Sequence, residues 1–140
     1  MGSLSLCRRI EFPVISDPRG NLTFIEGERH ICFPIKRIYC LFDVPGGAHR
    51  AGHAHKKLHQ VLIAMSGSFV VTLDDGFAKA KFHLNRSHQG LYIPPMVWRD
   101  MDDFSTGAVC MAVASEWFDE ADYYREYEEF LCAAGVSSDK

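Results

Sequence analysis

The chain has no apolar run near the roughly 18 residues that a membrane-spanning helix needs, so no membrane partner is expected. It has no basic block either. Its 15 Lys and Arg are outweighed by 18 Asp and Glu, for a net charge of −3, and no nucleic-acid partner is indicated. Residues 1–11 lack the apolar stretch of a secretory signal peptide, which points to the cytoplasm. No Cys-x-x-Cys occurs among Cys7, Cys32, Cys40, Cys110 and Cys132. An odd number of cysteines, four of them in or beside apolar runs, is expected to be buried free thiols in a reducing compartment. Neither a Gly-rich phosphate loop nor a dinucleotide fingerprint is found, so a phosphorylated ligand must be held by side chains. Linkers, repeats and low-complexity tracts are missing too. The 140 residues, 47% of them hydrophobic, suit a single domain over residues 1–140 with its own core.

What is present is mostly β pattern. A turn at Asp17-Pro18-Arg19-Gly20-Asn21 precedes a short apolar run at 22–25. Residues 35–42 alternate, and 53–65 are long enough for one bent strand or two. A run at 68–73 leads into Asp74-Asp75-Gly76, whose Asp-Gly supplies the positive φ of a hairpin turn into 77–84. Residues 91–93 and 108–114 complete a set of closely spaced strands, the signature of a sandwich or barrel. The tail differs. Tyr123, Tyr127, Phe130 and Leu131 recur at i, i+4, i+7 and i+8, which predicts one amphipathic helix over about 117–133. Asp119 suits its N-cap and Gly135 its stop, and residues 136–140 are expected to fray.

Chemistry concentrates at Gly47-Ala48-His49-Arg50-Ala51-Gly52-His53-Ala54-His55, followed by Gln60 and Gly67. Residues two apart on a strand share a face, so His53 and His55 are expected to project together into one cavity. The spacing resembles the first cupin motif, in which a glutamate usually stands where Gln60 does. A metal-binding cupin adds a third histidine from a later strand. The corresponding Pro94-Pro95-Met96-Val97-Trp98-Arg99 offers tryptophan and arginine instead. Two histidines are too few for a stable metal site, so no metal is expected and the pair is read as proton-transfer groups. Neighbouring imidazoles disfavour double protonation, leaving one as a neutral base. Arg19, Arg37, Arg50 and Arg99 are candidates for binding a diphosphate in bidentate fashion, Arg50 foremost because it precedes the pair. Tyr39 shares a strand face with Arg37, and it and Trp98 are candidates for stacking on a sugar or nucleobase.

The run from Arg50 to Leu62 is similar to the signature of the nucleotide-sugar 3,4-ketoisomerases. The likeness continues through Ser66-Gly67-Ser68, Leu73-Asp74-Asp75-Gly76, the stretch Ile93 to Met101, and Asp119-Glu120-x-Asp122-Tyr123. The resemblance implies an all-β, metal-free cupin jelly roll, its barrel over about 10–115 with the C-terminal helix after it. It implies a homodimer, His53 and His55 as catalytic residues, and dTDP-4-keto-6-deoxyglucose as substrate. The expected reaction moves a proton between C3 and C4 through an enediol and needs no cofactor. His53 or His55 is the base; the other histidine, Tyr39 and Gln60 are candidates to stabilise the developing charge. Two rivals stand beside this reading: a metal-dependent cupin enzyme, and a cupin that binds nucleotide sugar without turning it over.

Overall fold

Alternating strands build two five-stranded antiparallel sheets that pack face to face in the computed structural model, which describes residues 2–136. The first sheet runs in the order β1 (Arg8–Glu11), β9 (Gln89–Ile93), β6 (Gln60–Ser66), β11 (Val109–Ala114) and β4 (Arg37–Leu41). The second runs β12 (Tyr123–Tyr124), β5 (Arg50–His55), β10 (Trp98–Asp102), β7 (Phe69–Asp74) and β8 (Lys79–Leu84). A separate hairpin joins β2 (Val14–Asp17) to β3 (Gly20–Thr23). The chain crosses between the large sheets at almost every connection, so the expected all-β architecture holds. Residues 137–140, within the stretch expected to fray, lie outside the described residues.

The core lies between the sheets. Leu62, Leu91, Ile93 and Ala112 from the first meet Phe69, Val71, Leu73, Leu84 and Met101 from the second, all buried. Each such aliphatic or aromatic side chain contributes about 1.5–3 kcal/mol on burial. A second cluster covers the outer face of the first sheet, where Val61, Ile63, Tyr92 and Val113 pack under Phe12, Ile31 and Phe33. This explains why β6 is apolar without alternation at Val61-Leu62-Ile63-Ala64: both of its faces are covered.

Of the two readings of 53–65, that of two strands holds: β5 and β6 lie in opposite sheets, separated by a bend. Two expectations change. The tail is not one helix over 117–133. The helix α1 spans only Tyr127–Ala134, preceded by a 3-10 turn at Glu120–Asp122 and by β12, which pairs Tyr123 with His55 and Tyr124 with Ala54. Asp119 does cap a helix, but the short 3-10 one, by accepting from the Ala121 N–H. Gly135 ends α1 in the left-handed region at φ 89°. The open edge of β5 offers the tail unpaired backbone groups, and that pairing wins over the helical period. The cysteines are free, but only Cys110 is buried. Cys40 faces out because its strand neighbours Tyr39 and Leu41 face in. Among the described residues, no helix is long and apolar enough to cross a membrane.

Candidate active site

A cavity of about 370 Å³ opens between the sheets, lined among others by Arg37, Tyr39, Arg50, His53, Gln60 and Arg99. Six of the nine residues singled out in the sequence therefore converge on it. A bulge in β5 helps bring them together. Ala51 and Gly52 both have positive φ, 71° and 75°, and the β5–β10 register slips between Arg99 and Asp100. Arg50 and His53, three residues apart, would face opposite sides of a regular strand. The extra residue turns both toward the cavity.

His53 and His55 are not equivalent. His53 lies on the wall, whereas His55 is fully buried and stands behind it. Their rings meet edge to face at 4.9 Å between centroids. The Nε2 atoms of both are buried without a protein partner. Burial, then the charges of Arg99 and Arg125, push the His53 pKa down to about 3, against a backbone hydrogen bond to Ala51. His55 is lowered by burial first, then by Arg99 and His53. The Asp122 carboxylate, 3.0 Å from His55 Nδ1, pulls the other way, but burial prevails and His55 is neutral.

Arg99 lies inside the protein, 1% exposed. Its Nη1 donates to Gln60 Oε1 at 2.7 Å and its Nη2 to the Val97 carbonyl at 2.8 Å. A guanidinium only donates, so it dictates which end of the Gln60 amide it meets. Gln60 Nε2 then donates to the Tyr39 hydroxyl oxygen at 2.7 Å. Tyr39 therefore accepts from Gln60 and keeps its own proton for another partner. Burial raises the Tyr39 pKa while Arg99 and Gln60 oppose it, so the phenol stays protonated. Burial lowers the Arg99 pKa to about 10, which leaves it charged at neutral pH.

Three residues fall elsewhere. His55 is behind the wall, as described. Trp98 faces away, as its neighbour Arg99 faces in; it packs on Tyr127 and Phe130 of α1 at 5.2 and 5.8 Å. Arg19 sits at the tip of the β2–β3 hairpin, 89% exposed and paired with Asp17. Sequence reasoning missed Tyr123 and Arg125, which line the cavity. The Arg125 guanidinium stacks 4.0 Å above the Tyr123 ring and is held by Glu120. Both lay in a stretch assigned to helix, where only the wrong period was visible. Among the described residues, the lining has four arginines, Arg37, Arg50, Arg99 and Arg125, and no carboxylate, which suits an anionic ligand. Among the described residues, no three His, Cys, Asp or Glu side chains gather as metal ligands.

The neutral His53 has a consequence for stability. Between its folded pKa of about 3 and the ordinary 6.5, the unfolded chain binds a proton that the native chain refuses. Stability should therefore fall as pH drops through this window, by ~1.4 kcal/mol per pH unit for this one group. Urea unfolding at pH 7 and pH 5 should show the protein losing about 2 kcal/mol more than its His53→Asn variant. Identical pH dependence in the two would mean that His53 is not a buried neutral base.

The family described as "FdtA: WxcM-like, C-terminal" matches residues 5–135. The TDP-4-oxo-6-deoxy-alpha-D-glucose-3,4-oxoisomerase of Aneurinibacillus thermoaerophilus is 47% identical over 121 residues, 86% of this chain and 87% of that one. The crystal structure of QdtA, a sugar 3,4-ketoisomerase from Thermoanaerobacterium thermosaccharolyticum in complex with TDP, superposes with a TM-score of 0.91 at 44% identity, covering 94% of this chain and 96% of that one. The WlaRB TDP-quinovose 3,4-ketoisomerase of Campylobacter jejuni gives a TM-score of 0.86 at 44% identity, over 90% and 97% of the two chains.

Proposed function

The chain belongs to the FdtA, WxcM-like C-terminal family, and from that membership and its cavity we propose that it is a nucleotide-sugar 3,4-ketoisomerase. Its substrate is dTDP-4-keto-6-deoxyglucose and its product a dTDP-3-keto-6-deoxyhexose, a step in deoxysugar synthesis. The observation that carries the chemistry is His53: a buried imidazole, neutral at pH 7, on the wall of a cavity with arginines and no carboxylate.

The C4 carbonyl acidifies the hydrogen on C3. His53 takes that proton, and the electron pair moves into a C3–C4 enediolate. The hydroxyl proton on the C3 oxygen passes to the C4 oxygen, which becomes the hydroxyl; a proton is then delivered to C4 as the C3 carbonyl forms, and the proton held by His53 returns through solvent to the donor. The product is an isomer of the substrate, so electrons balance without an added oxidant. Tyr39, with its proton free, is the group assigned to donate toward C4, and Gln60 and Arg99 hold it in place. The Arg99–Gln60 pair also supplies a fixed positive field where the enediolate charge develops. Arg37, Arg50 and Arg125 are assigned to the diphosphate. Their anionic partner also offsets the arginine field that depresses His53, so the base becomes stronger in the complex than in the free protein.

A homodimer is proposed through the β2–β3 hairpin. It pairs with neither large sheet, and a lone two-stranded hairpin is at best marginally stable in water. It also exposes Val14, Ile15 and Leu22. Arg19 at its tip then serves a cavity only through the neighbouring chain. Free cysteines suit the cytoplasm.

The test is incubation with dTDP-4-keto-6-deoxyglucose in D2O, followed by NMR. A 3-keto sugar carrying deuterium at C4 is expected, and the same spectrum reads the C4 configuration. Unchanged substrate with no exchange at C3 would sink the proposal.

A further inference from the structure

One buried polar cluster is not used by the reaction as described: His55, Asp122 and the backbone of residues 57 and 58. Asp122 comes from the 3-10 turn, 67 residues from His55, and is 6% exposed. Its Oδ2 accepts from His55 Nδ1 at 3.0 Å and from the Leu58 N–H at 3.3 Å. Its Oδ1 accepts from the Lys57 N–H at 2.7 Å, and its carbonyl accepts from the Lys56 N–H at 2.8 Å. A carboxylate accepts and backbone N–H groups only donate, so the hydrogen between His55 and Asp122 belongs to Nδ1 of the imidazole. Nε2 of His55 is then the bare nitrogen, and it is buried with no protein partner.

The same residues form the support of the cavity wall. Tyr123 follows Asp122 in the chain and pairs with His55 across β12 and β5. Its ring lies 4.4 Å from that of His55 and 5.0 Å from that of His53. The His55 ring in turn stands at 89° to the His53 ring. His53 is therefore braced on two sides, by His55, which Asp122 holds, and by Tyr123, which follows Asp122 into β12.

We propose that Asp122 is a positioning residue for the isomerisation, acting through His55: it locks His55 in the Nδ1–H tautomer and thereby sets the orientation of His53 on the cavity wall. The proposal rests on the reading of the chain as a 3,4-ketoisomerase with His53 as base. A wrong tautomer of a histidine held by a carboxylate is costly even when geometry survives.

Asp122→Asn tests it. The amide oxygen still accepts from the Lys57 N–H, while the nitrogen takes the place of Oδ2, gives up the long Leu58 N–H bond and donates to His55 Nδ1, which forces the Nε2–H tautomer. Nitrogen NMR of histidine-labelled protein, with no substrate, should show Nδ1–H at His55 in the parent and Nε2–H in the variant. The kcat should fall by at least about tenfold with KM for the nucleotide sugar nearly unchanged. In a His55→Asn background, adding Asp122→Asn should cost less than about twofold more, because the two act as one unit. An Nε2–H tautomer in the parent, an undiminished kcat, or an equal further loss in the His55→Asn background would each overturn the proposal. So would failure of Asp122→Asn to fold, which would make Asp122 a structural clasp. If the parent itself leaves the sugar unchanged, it is the 3,4-ketoisomerase reading that fails, and the resting-state tautomer separates the two outcomes.

Discussion

His53→Asn is expected to lower turnover by at least about 10²-fold and to stop exchange of the C3 proton with solvent, while nucleotide-sugar binding survives. Asparagine keeps a polar side chain of similar reach and removes the titrating nitrogen. General acid–base catalysis typically contributes ~10²–10⁴-fold, and His53 is the buried imidazole on the cavity wall, His49 at its rim being exposed. The fold should tolerate the change, because His53 has no side-chain partner at Nε2 to orphan. Deuterium content at C3 of recovered substrate is the sharper measurement. If exchange continues at the parent rate, the base lies elsewhere, and the assignment of His53 is wrong. His55→Asn acts from behind the wall, so its loss should reflect misplacement of His53 rather than removal of the base.

Tyr39→Phe should also cost at least about 10²-fold in turnover, but with the opposite isotopic signature. The phenol accepts from Gln60 and holds its own proton for the cavity, so its removal withdraws the donor assigned to C4 and leaves His53 in place. Substrate should then lose its C3 hydrogen to solvent and return without becoming product. NMR of recovered substrate in D2O reads this partition directly. A variant that fails to exchange at C3 would place Tyr39 before enolisation, and one with undiminished turnover would remove it from the reaction. The substitution would also leave Gln60 Nε2 without its acceptor, a buried loss of ~1–3 kcal/mol in stability. Urea unfolding of the Tyr39→Phe variant reads that cost separately from the catalytic one.

Local pattern was enough for much of this protein. The alternation of β4, β7 and β11 is visible in the chain, because the strand period of two is a property of neighbouring residues. So is the hairpin turn at Asp75-Gly76, which needs only a residue tolerant of positive φ. The pairing of His53 with His55 on one face follows from the same period. Arg37, Tyr39, Arg50, Gln60 and Arg99 could be named because they flank those strands, and all five reach the cavity. Tertiary structure decided the rest. The tail carried a helical period at Tyr123 and Tyr127, yet the unpaired edge of β5 drew Tyr123 and Tyr124 into a strand. That long-range pairing brings Asp122 onto His55 and adds Tyr123 and Arg125 to the wall, none of which a local window contains. Trp98 and Arg99 share a short segment, and only the packing of α1 on one side of β10 decides which of them turns inward. The order of the two histidines, one on the wall and one behind it, depends on where the opposite sheet leaves space. A sequence specifies such space only through contacts between residues far apart in the chain.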